Sequence, residues 1–302
     1  MNNVFIKDEK LLNEKIEQIK KEGKDNLHII SDFDNTLSKA YVNGEKAQSM
    51  IGQVRRLGYL GKEYQEKYDL LYNTYHPIEI NSAVPFEEKY KAMEDWWSKH
   101  IKVLSDFGLS KQILDLVLKD SNHFVLRDKI REFFDILYTN DIPVLIFSAG
   151  AKYFVDGYLK KYNCVYSNIS VIANEYDFDS NGKVIAYKNK IIHSLNKGEL
   201  AIKEDLHYKN IKQRRNIVLL SDNLGDLEMS KGLEHNVKIT ICFYNDPKLE
   251  HLEEYKRQYD IVITNDSDMS YVNDLLKKIL WEYGIIWFDK IRLEIRIRET
   301  KW

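Results

Sequence analysis

The chain has little of what would mark a secreted, membrane-bound or nucleic-acid-wrapping protein. Only two of its 302 residues are cysteines. Cys164 and Cys242 lie far apart and belong to no CxxC or Cys/His spacing, which argues against a disulfide framework and a zinc site. They read as buried free thiols in a reducing compartment. Four prolines leave no proline-rich linker. No run of about 18 apolar residues occurs, so no membrane span is expected. The N-terminal stretch has no apolar core of the signal-peptide kind and reads as an amphipathic helix. The formal net charge is −2 with no long block of Lys or Arg, so the basic surface that grips a nucleic acid polymer is missing. The expected setting is the cytoplasm, as a monomer, with a small anionic partner that one or two placed cations can hold.

What is there is an ordinary globular composition, 44% apolar and 30% charged. Three short apolar runs, Leu27–Ile30, Val144–Phe147 and Ile217–Leu220, each end in polar or small residues. Continuous apolar runs with helical patterns between them predict an α/β fold with a parallel sheet covered on both faces. Ligands of such sheets sit beyond the carboxyl ends of the strands, where all three polar clusters fall. Residues 39–127 are different in character, rich in Tyr, Lys, Glu and Trp and without a good strand candidate. Phe86, Tyr90, Met93, Trp97 and Ile101 recur there at helical spacing. We read this stretch as a helical cap inserted in a core made of residues 1–38 and 128–302. Further on, Asn181-Gly182 between two strand-like segments signals a type I′ hairpin. Near the end, Ile291, Leu293, Ile295 and Ile297 alternate with charged residues. That pattern suits an edge strand or a self-association surface.

The residues that carry chemistry stand at the strand ends. Asp32-Phe33-Asp34-Asn35-Thr36 follows the first run. A carboxylate there is a usable nucleophile toward phosphorus. A second one two residues on points to the same side of an extended chain and can serve as general acid and base. Asp222-Asn223-Leu224-Gly225-Asp226 follows the third run, with Gly225 permitting a tight loop. Two carboxylates four apart can close on one hard cation such as Mg²⁺, which would offset the repulsion between a phosphate and the carboxylates. Ser148-Ala149-Gly150 lets backbone N–H groups approach phosphate oxygens. Lys197 can hold the phosphate as a point charge. Each signal alone is weak, since turns, caps and solvated loops use the same residues. Their joint order, each in the context the chemistry needs, is what predicts a phosphatase.

That order resembles the four motifs of the haloacid dehalogenase superfamily. More closely, the chain is similar to the cytosolic 5′-nucleotidase type III (pyrimidine 5′-nucleotidase) family from about Ile29 to Leu280. The likeness is carried by IISDFDNTLS, HPIEI, MEDWWSKH, IPVLIFSAG, DFDSNGKV, IIHSLNKG, LLSDNLGDLEMSKGL and FYNDPKLEHLEEYKRQYDIVI. The resemblance implies a haloacid dehalogenase-like core and hydrolysis of a pyrimidine or 7-methylguanosine 5′-monophosphate through an aspartyl-phosphate. It implies Asp32 as nucleophile and Asp34 as acid/base, with Asp32, the Asp34 main-chain carbonyl and Asp222 on Mg²⁺. Ser148, Ala149 and Lys197 would bind phosphate, and Asp226 would steady Lys197 and the waters of the metal. Glu79, after Pro-Ile, would contact the nucleobase, and Trp97 would lay a ring against it. The alternatives are a phosphatase of another small phosphomonoester and a non-catalytic nucleotide-binding relative.

Overall fold

The computed structural model describes residues 3–81, 83–197, 206–232 and 234–280. The alternating pattern at 291–297, and the whole tail 281–302, lie outside the described residues.

Eleven strands occur among the described residues. Those before the insert are β1 (Val4–Ile6) and β2 (Leu27–Ser31). The short pair β3 (Tyr41–Val42) and β4 (Glu45–Lys46) comes next, then β5 (Val144–Ala151), β6 (Ile169–Asn174), β7 (Tyr176–Phe178) and β8 (Val184–Tyr187). The last three are β9 (Asn216–Ser221), β10 (Val237–Phe243) and β11 (Ile261–Ile263). Seven of them form one sheet in the order β1-β11-β10-β9-β2-β5-β6, parallel except for β1 at the edge. β2, β9 and β11 are buried along their whole length, as their continuous apolar runs require of strands covered on both faces.

From β2 the chain builds outward first through β5 and β6, then through β9, β10 and β11 on the other side. The order therefore reverses at β2, which opens a crevice beyond its carboxyl end. Register fixes what meets there. Ser31 pairs with Leu220 on β9 and with Ile146 on β5, so Asp32, Asp222 and Ser148 come at the same end of neighbouring strands.

The N-terminal helix Glu9–Glu22 starts at Asp8, whose carboxylate accepts the Leu11 N–H, and stops at Gly23, where φ is +86°. Its Leu12, Ile16 and Ile19 are spaced to one stripe and all buried, in one cluster with Ile239 and Ile241 of β10 and with Leu275 and Ile279 of the helix Ser270–Leu280. Each such side chain contributes about 1.5–3 kcal/mol on burial.

Between β2 and β5 run the helices Met50–Leu57, Gly61–Ile80, Phe86–Asp106 and Lys111–Asp120. The stretch is mainly helical, and it also holds the β3–β4 hairpin, where the sequence offers no good strand candidate. Two-residue strands around Asn43-Gly44, both at positive φ, leave no apolar alternation to detect. The buried line on Phe86–Asp106 is Met93, His100 and Leu104. Phe86 is exposed, so the expected stripe holds only in part.

The hairpin at Asn181-Gly182 is real, but its turn is not type I′. Only Gly182 has positive φ. The Asp179 carboxylate accepts from the N–H groups of Asn181 and Lys183, which stabilises a longer loop. Among the described residues, no helix is long and apolar enough to cross a membrane. Both cysteines are free and buried.

Candidate active site

The crevice beyond β2 holds a lysine between carboxylates. Lys197 Nζ donates to Asp32 Oδ1 at 2.5 Å and to Asp226 Oδ1 at 3.1 Å, and all three side chains are buried. Burial disfavours the ammonium charge, but Asp226 and Asp32 outweigh it and raise Lys197 well above its ordinary value. Removing one partner of such a group leaves an uncompensated buried charge, at about 3–5 kcal/mol.

Carboxylate oxygens of Asp32, Asp222 and Asp226 lie within 4.8 Å of one another. Burial and mutual repulsion push the Asp222 and Asp226 carboxyls up. An all-oxygen, self-repelling donor set with two of its three carboxylates buried suits a hard divalent cation. The Asp34 side chain stands apart from this trio. Its Oδ1 is buried without a partner, and burial together with Asp32 pushes its carboxyl up to about 7. The Met50 backbone N–H, opening the first helix of the insert, faces the same carboxyl. An acid near neutrality can give and take a proton at working pH.

Ser148 is buried within β5, and its Oγ accepts the Gly150 N–H at 3.0 Å. The Ala149 carbonyl is held by Asn174 Nδ2 at 2.6 Å. At Gly150 a Cβ would come 2.5 Å from Met50 Cε and 3.8 Å from Asp34 Oδ2. A side chain there would have to displace the Met50 methyl and crowd Ser148 Oγ, 3.2 Å away. Gly225 is different: its φ is not positive, and what it provides is space, because a Cβ would stand 3.1 Å from Asn223 Oδ1. The expected tight loop is a run of 3-10 turns over Leu224–Ser230.

Several residues of the site went unread in the sequence. Asn223 Nδ2 donates to both Asp222 Oδ1 (3.1 Å) and Asp226 Oδ2 (2.7 Å), spacing the two carboxylates. Asn35 Nδ2 reaches Asp222 Oδ2 at 3.4 Å and the Thr36 hydroxyl reaches Asp32 Oδ2 at 3.5 Å. Tyr259 donates to the Asn223 carbonyl at 2.5 Å and pairs with Ser221 Oγ at 2.6 Å, anchoring the acidic loop. Amides and hydroxyls at these places have no spacing rule, so nothing in the sequence singled them out.

The insert supplies one wall. Glu79 sits in the last turn of Gly61–Ile80, two residues after Pro77 within that helix. Its Oε1 accepts from Ser194 Oγ at 2.6 Å, and Oε2 is 3.3 Å from His76 Nδ1. Burial pushes the carboxyl up, but His76, Ser194 and the charge of Lys197 outweigh it, so Glu79 stays below its ordinary value. His76 stacks on Tyr72 at 4.6 Å, and Tyr90 meets His193 edge-on at 4.8 Å. Trp97 is half-exposed and meets Trp96 edge-on at 5.0 Å.

A mainly parallel sheet with a strand-end aspartate bound to a buried lysine, a second aspartate two residues on and an acidic loop is the arrangement of a haloacid dehalogenase-type phosphatase. In agreement, a haloacid dehalogenase family hydrolase from Salmonella enterica shares the fold, with a TM-score of 0.54 at 14% identity over 83% of this chain and 71% of that one. Cytosolic 5′-nucleotidase IIIB, solved with cytidine, is nearer, with a TM-score of 0.86 at 28% identity over 94% of this chain and 96% of that one. The 7-methylguanosine phosphate-specific 5′-nucleotidase A of Xenopus laevis is 36% identical over 91% of this chain and 95% of its own. The chain belongs to the pyrimidine 5′-nucleotidase (UMPH-1) family, whose model matches residues 35–280. It is accordingly a 5′-nucleotidase, a phosphoric monoester hydrolase.

Proposed function

We propose that the chain hydrolyses 7-methylguanosine 5′-monophosphate, and pyrimidine 5′-monophosphates beside it, to nucleoside and phosphate. The observation that carries the chemistry is Lys197 bridging Asp32 and Asp226 at the switch point of the sheet. Lys197 and the Ser148–Gly150 segment hold the phosphate. Asp32 attacks phosphorus to give an aspartyl-phosphate, while Asp34 protonates the departing 5′ oxygen. Asp34 then takes a proton from the water that cleaves the acyl phosphate. Asp32, Asp222 and the Asp34 carbonyl would hold Mg²⁺, with Asp226 in reach; bound there, the ion offsets the charge gathered on phosphate and carboxylates.

Residues 39–127 act as the cap over a core of 1–38 and 128–302. The cap reads the base through Glu79 and Trp97. A carboxylate held anionic favours a base that carries positive charge, as 7-methylguanine does, and an indole can stack on such a base. The names of the Xenopus relative and of its human counterpart, 33% identical, support the same preference. Relatives with cytosolic names support a cytoplasmic setting, and a modest net charge supports action on free nucleotides rather than on nucleic acid polymers; we take the chain to act as a monomer.

The test is phosphate release from 7-methyl-GMP, CMP, UMP, AMP and GMP with and without Mg²⁺. Release from 7-methyl-GMP and the pyrimidine nucleotides, dependent on Mg²⁺, is expected. Equal rates on all five would remove the base preference, and no release from any would remove the reading.

A further inference from the structure

Arg127 is among the largest fully buried side chains, and it stands one residue beyond the bridge Ser38–Leu126 that closes the base of the insert. A guanidinium carries five N–H donors in a fixed fork. Here the Nε donates to the Thr36 carbonyl at 2.7 Å. Nη2 donates to the Asn35 carbonyl at 2.6 Å and to Asn245 Oδ1 at 3.1 Å. Nη1 donates to Asp266 Oδ1 at 2.9 Å and to the Ser267 carbonyl at 2.6 Å. Every donor has an acceptor, and the plane lies 4.1 Å from the Phe243 ring centroid. No lysine could reproduce that geometry.

The acceptors are not spread at random over the core. Asn35 and Thr36 belong to the loop that carries Asp32 and Asp34, and their own side chains touch Asp222 and Asp32. Asn35 holds φ at +57°, and Asn245 Nδ2 also donates to its carbonyl, at 3.0 Å. Asp266, the ionic partner, does a second job. Its two oxygens accept the backbone N–H groups of Ala40 and Tyr41, each at 2.9 Å, where the chain enters the insert. Where the chain leaves the insert, the Arg127 N–H donates to the Leu37 carbonyl at 2.9 Å, and the Lys39 N–H donates to the Val125 carbonyl at 2.8 Å. Asn265 and Asp266 both lie at positive φ, +63° and +46°. Left-handed backbone at two successive non-glycine residues costs free energy and persists where surrounding contacts demand it.

We propose that Arg127 and Asp266 form a positioning pair, which sets the Asp32–Asp34 loop for chemistry and fixes the pivot of the insert on the core. The pair touches neither substrate nor the reacting atoms. It acts through backbone carbonyls on the nucleophile side and backbone N–H groups on the insert side. This rests on the reading of Asp32 and Asp34 as the reacting carboxylates.

The test compares Arg127→Lys, Asp266→Asn and the double variant with wild type, using the full chain and Mg²⁺. The Lys39→Ala variant, which removes only the surface ion pair to Asp128, serves as control. Rates on 7-methyl-GMP and on p-nitrophenyl phosphate are read with the folded fraction at the assay temperature. Displacing the reacting carboxylate by a fraction of an ångström should lower kcat by about 10- to 100-fold per folded molecule on both substrates. KM should stay within about threefold, since base contacts are untouched. The double variant should lose no more than the worse single one, because the pair acts as a unit. Should Arg127→Lys fail to fold, Asp266→Asn carries the test, for it leaves Arg127 its three carbonyl acceptors and Asn245. Folded variants with wild-type kcat, a loss confined to KM, or a loss that merely tracks the folded fraction would each overturn the pair. A wild-type protein inactive on both substrates would instead overturn the assignment of Asp32 and Asp34, and the pair with it.

Discussion

The strand-end cluster and the wall contributed by the insert are built on different terms. In the cluster, strand register places Asp32 and Asp222 side by side, and hydrogen bonds tie Lys197 and Asp226 to them in a largely buried crevice. In the wall, Glu79, His76, Tyr72, Trp96 and Trp97 are placed by helix faces, and most keep part of their surface in water. The cluster leaves one way to arrange the reacting atoms. The wall leaves room for different bases. On the proposed function, chemistry would reside at the sheet and choice of substrate in the insert, and variants on the two sides should then fail in different ways.

The sharpest break lies in the cluster. Asp32→Asn keeps the shape and one acceptor for Lys197 but removes the nucleophile. Turnover of every substrate should fall by on the order of 10⁴-fold or more, with far-ultraviolet circular dichroism unchanged. Retention of the wild-type rate would mean that phosphorus is not attacked by this carboxylate.

Acid should separate the regions next, because their titratable groups have opposite signs. Burial pushes His100, on the helix Phe86–Asp106, down to about 4, and its ring sits edge-on to Tyr68 at 5.5 Å. The unfolded chain takes up the proton near pH 6.5 and the folded one only near 4. Stability from this group is thus full above about pH 6.5 and lost as pH falls towards 4, by about 3 kcal/mol. Asp34, raised to about 7, works the other way: the folded state binds its proton first, so this group favours folding as pH falls. Urea unfolding of wild type and His100→Phe at pH 7.5 and 4.5 checks the difference. The variant should recover most of that loss, and parallel pH dependence in both proteins would exclude His100 as its source.

Glu79→Ala should then show what the wall is for. Losing a charge-assisted contact to the base should cost about 2 kcal/mol, or roughly 30-fold in kcat/KM, on 7-methyl-GMP. On p-nitrophenyl phosphate the loss should be less than about threefold, since no base is read. Equal losses on both would move Glu79 from recognition to the support of Ser194 and Lys197.

The same division explains what the sequence could and could not tell. Asp32 and Asp222 were legible because each directly follows a buried apolar strand, and strand register in a parallel sheet is what brings them together; Asp34 was legible from its place two residues after Asp32, though its side chain stands apart from the trio. Lys197 became legible only in combination, as a lone lysine carries no pattern. Glu79 and Trp97 came from resemblance, since helix faces brought together by tertiary packing leave no local signature. Arg127 and Asn174 were invisible, because their partners are backbone carbonyls or side chains distant in the chain, while Asn223 bonds its neighbours Asp222 and Asp226 but an amide inside an acidic loop carries no pattern of its own. The turn at Asn181-Gly182 was misread because the Asp179 carboxylate, two residues earlier, competes successfully for the backbone N–H groups.

Trp97→Ala is the smallest expected effect and the finest test of the comparison. The indole is half-exposed and leans on Trp96, so its loss should leave folding and kcat nearly unchanged. Indole attraction to a cationic base at such a site is about 1 kcal/mol, which is roughly fivefold in KM. A neutral pyrimidine gains only dispersion from the same ring, so CMP should lose less than 7-methyl-GMP. Trp97→Phe should fall between, because phenylalanine presents a weaker face to a cation. If CMP and 7-methyl-GMP lost affinity equally, the ring would be packing against the sugar or its own helix, and base choice would rest on Glu79 alone.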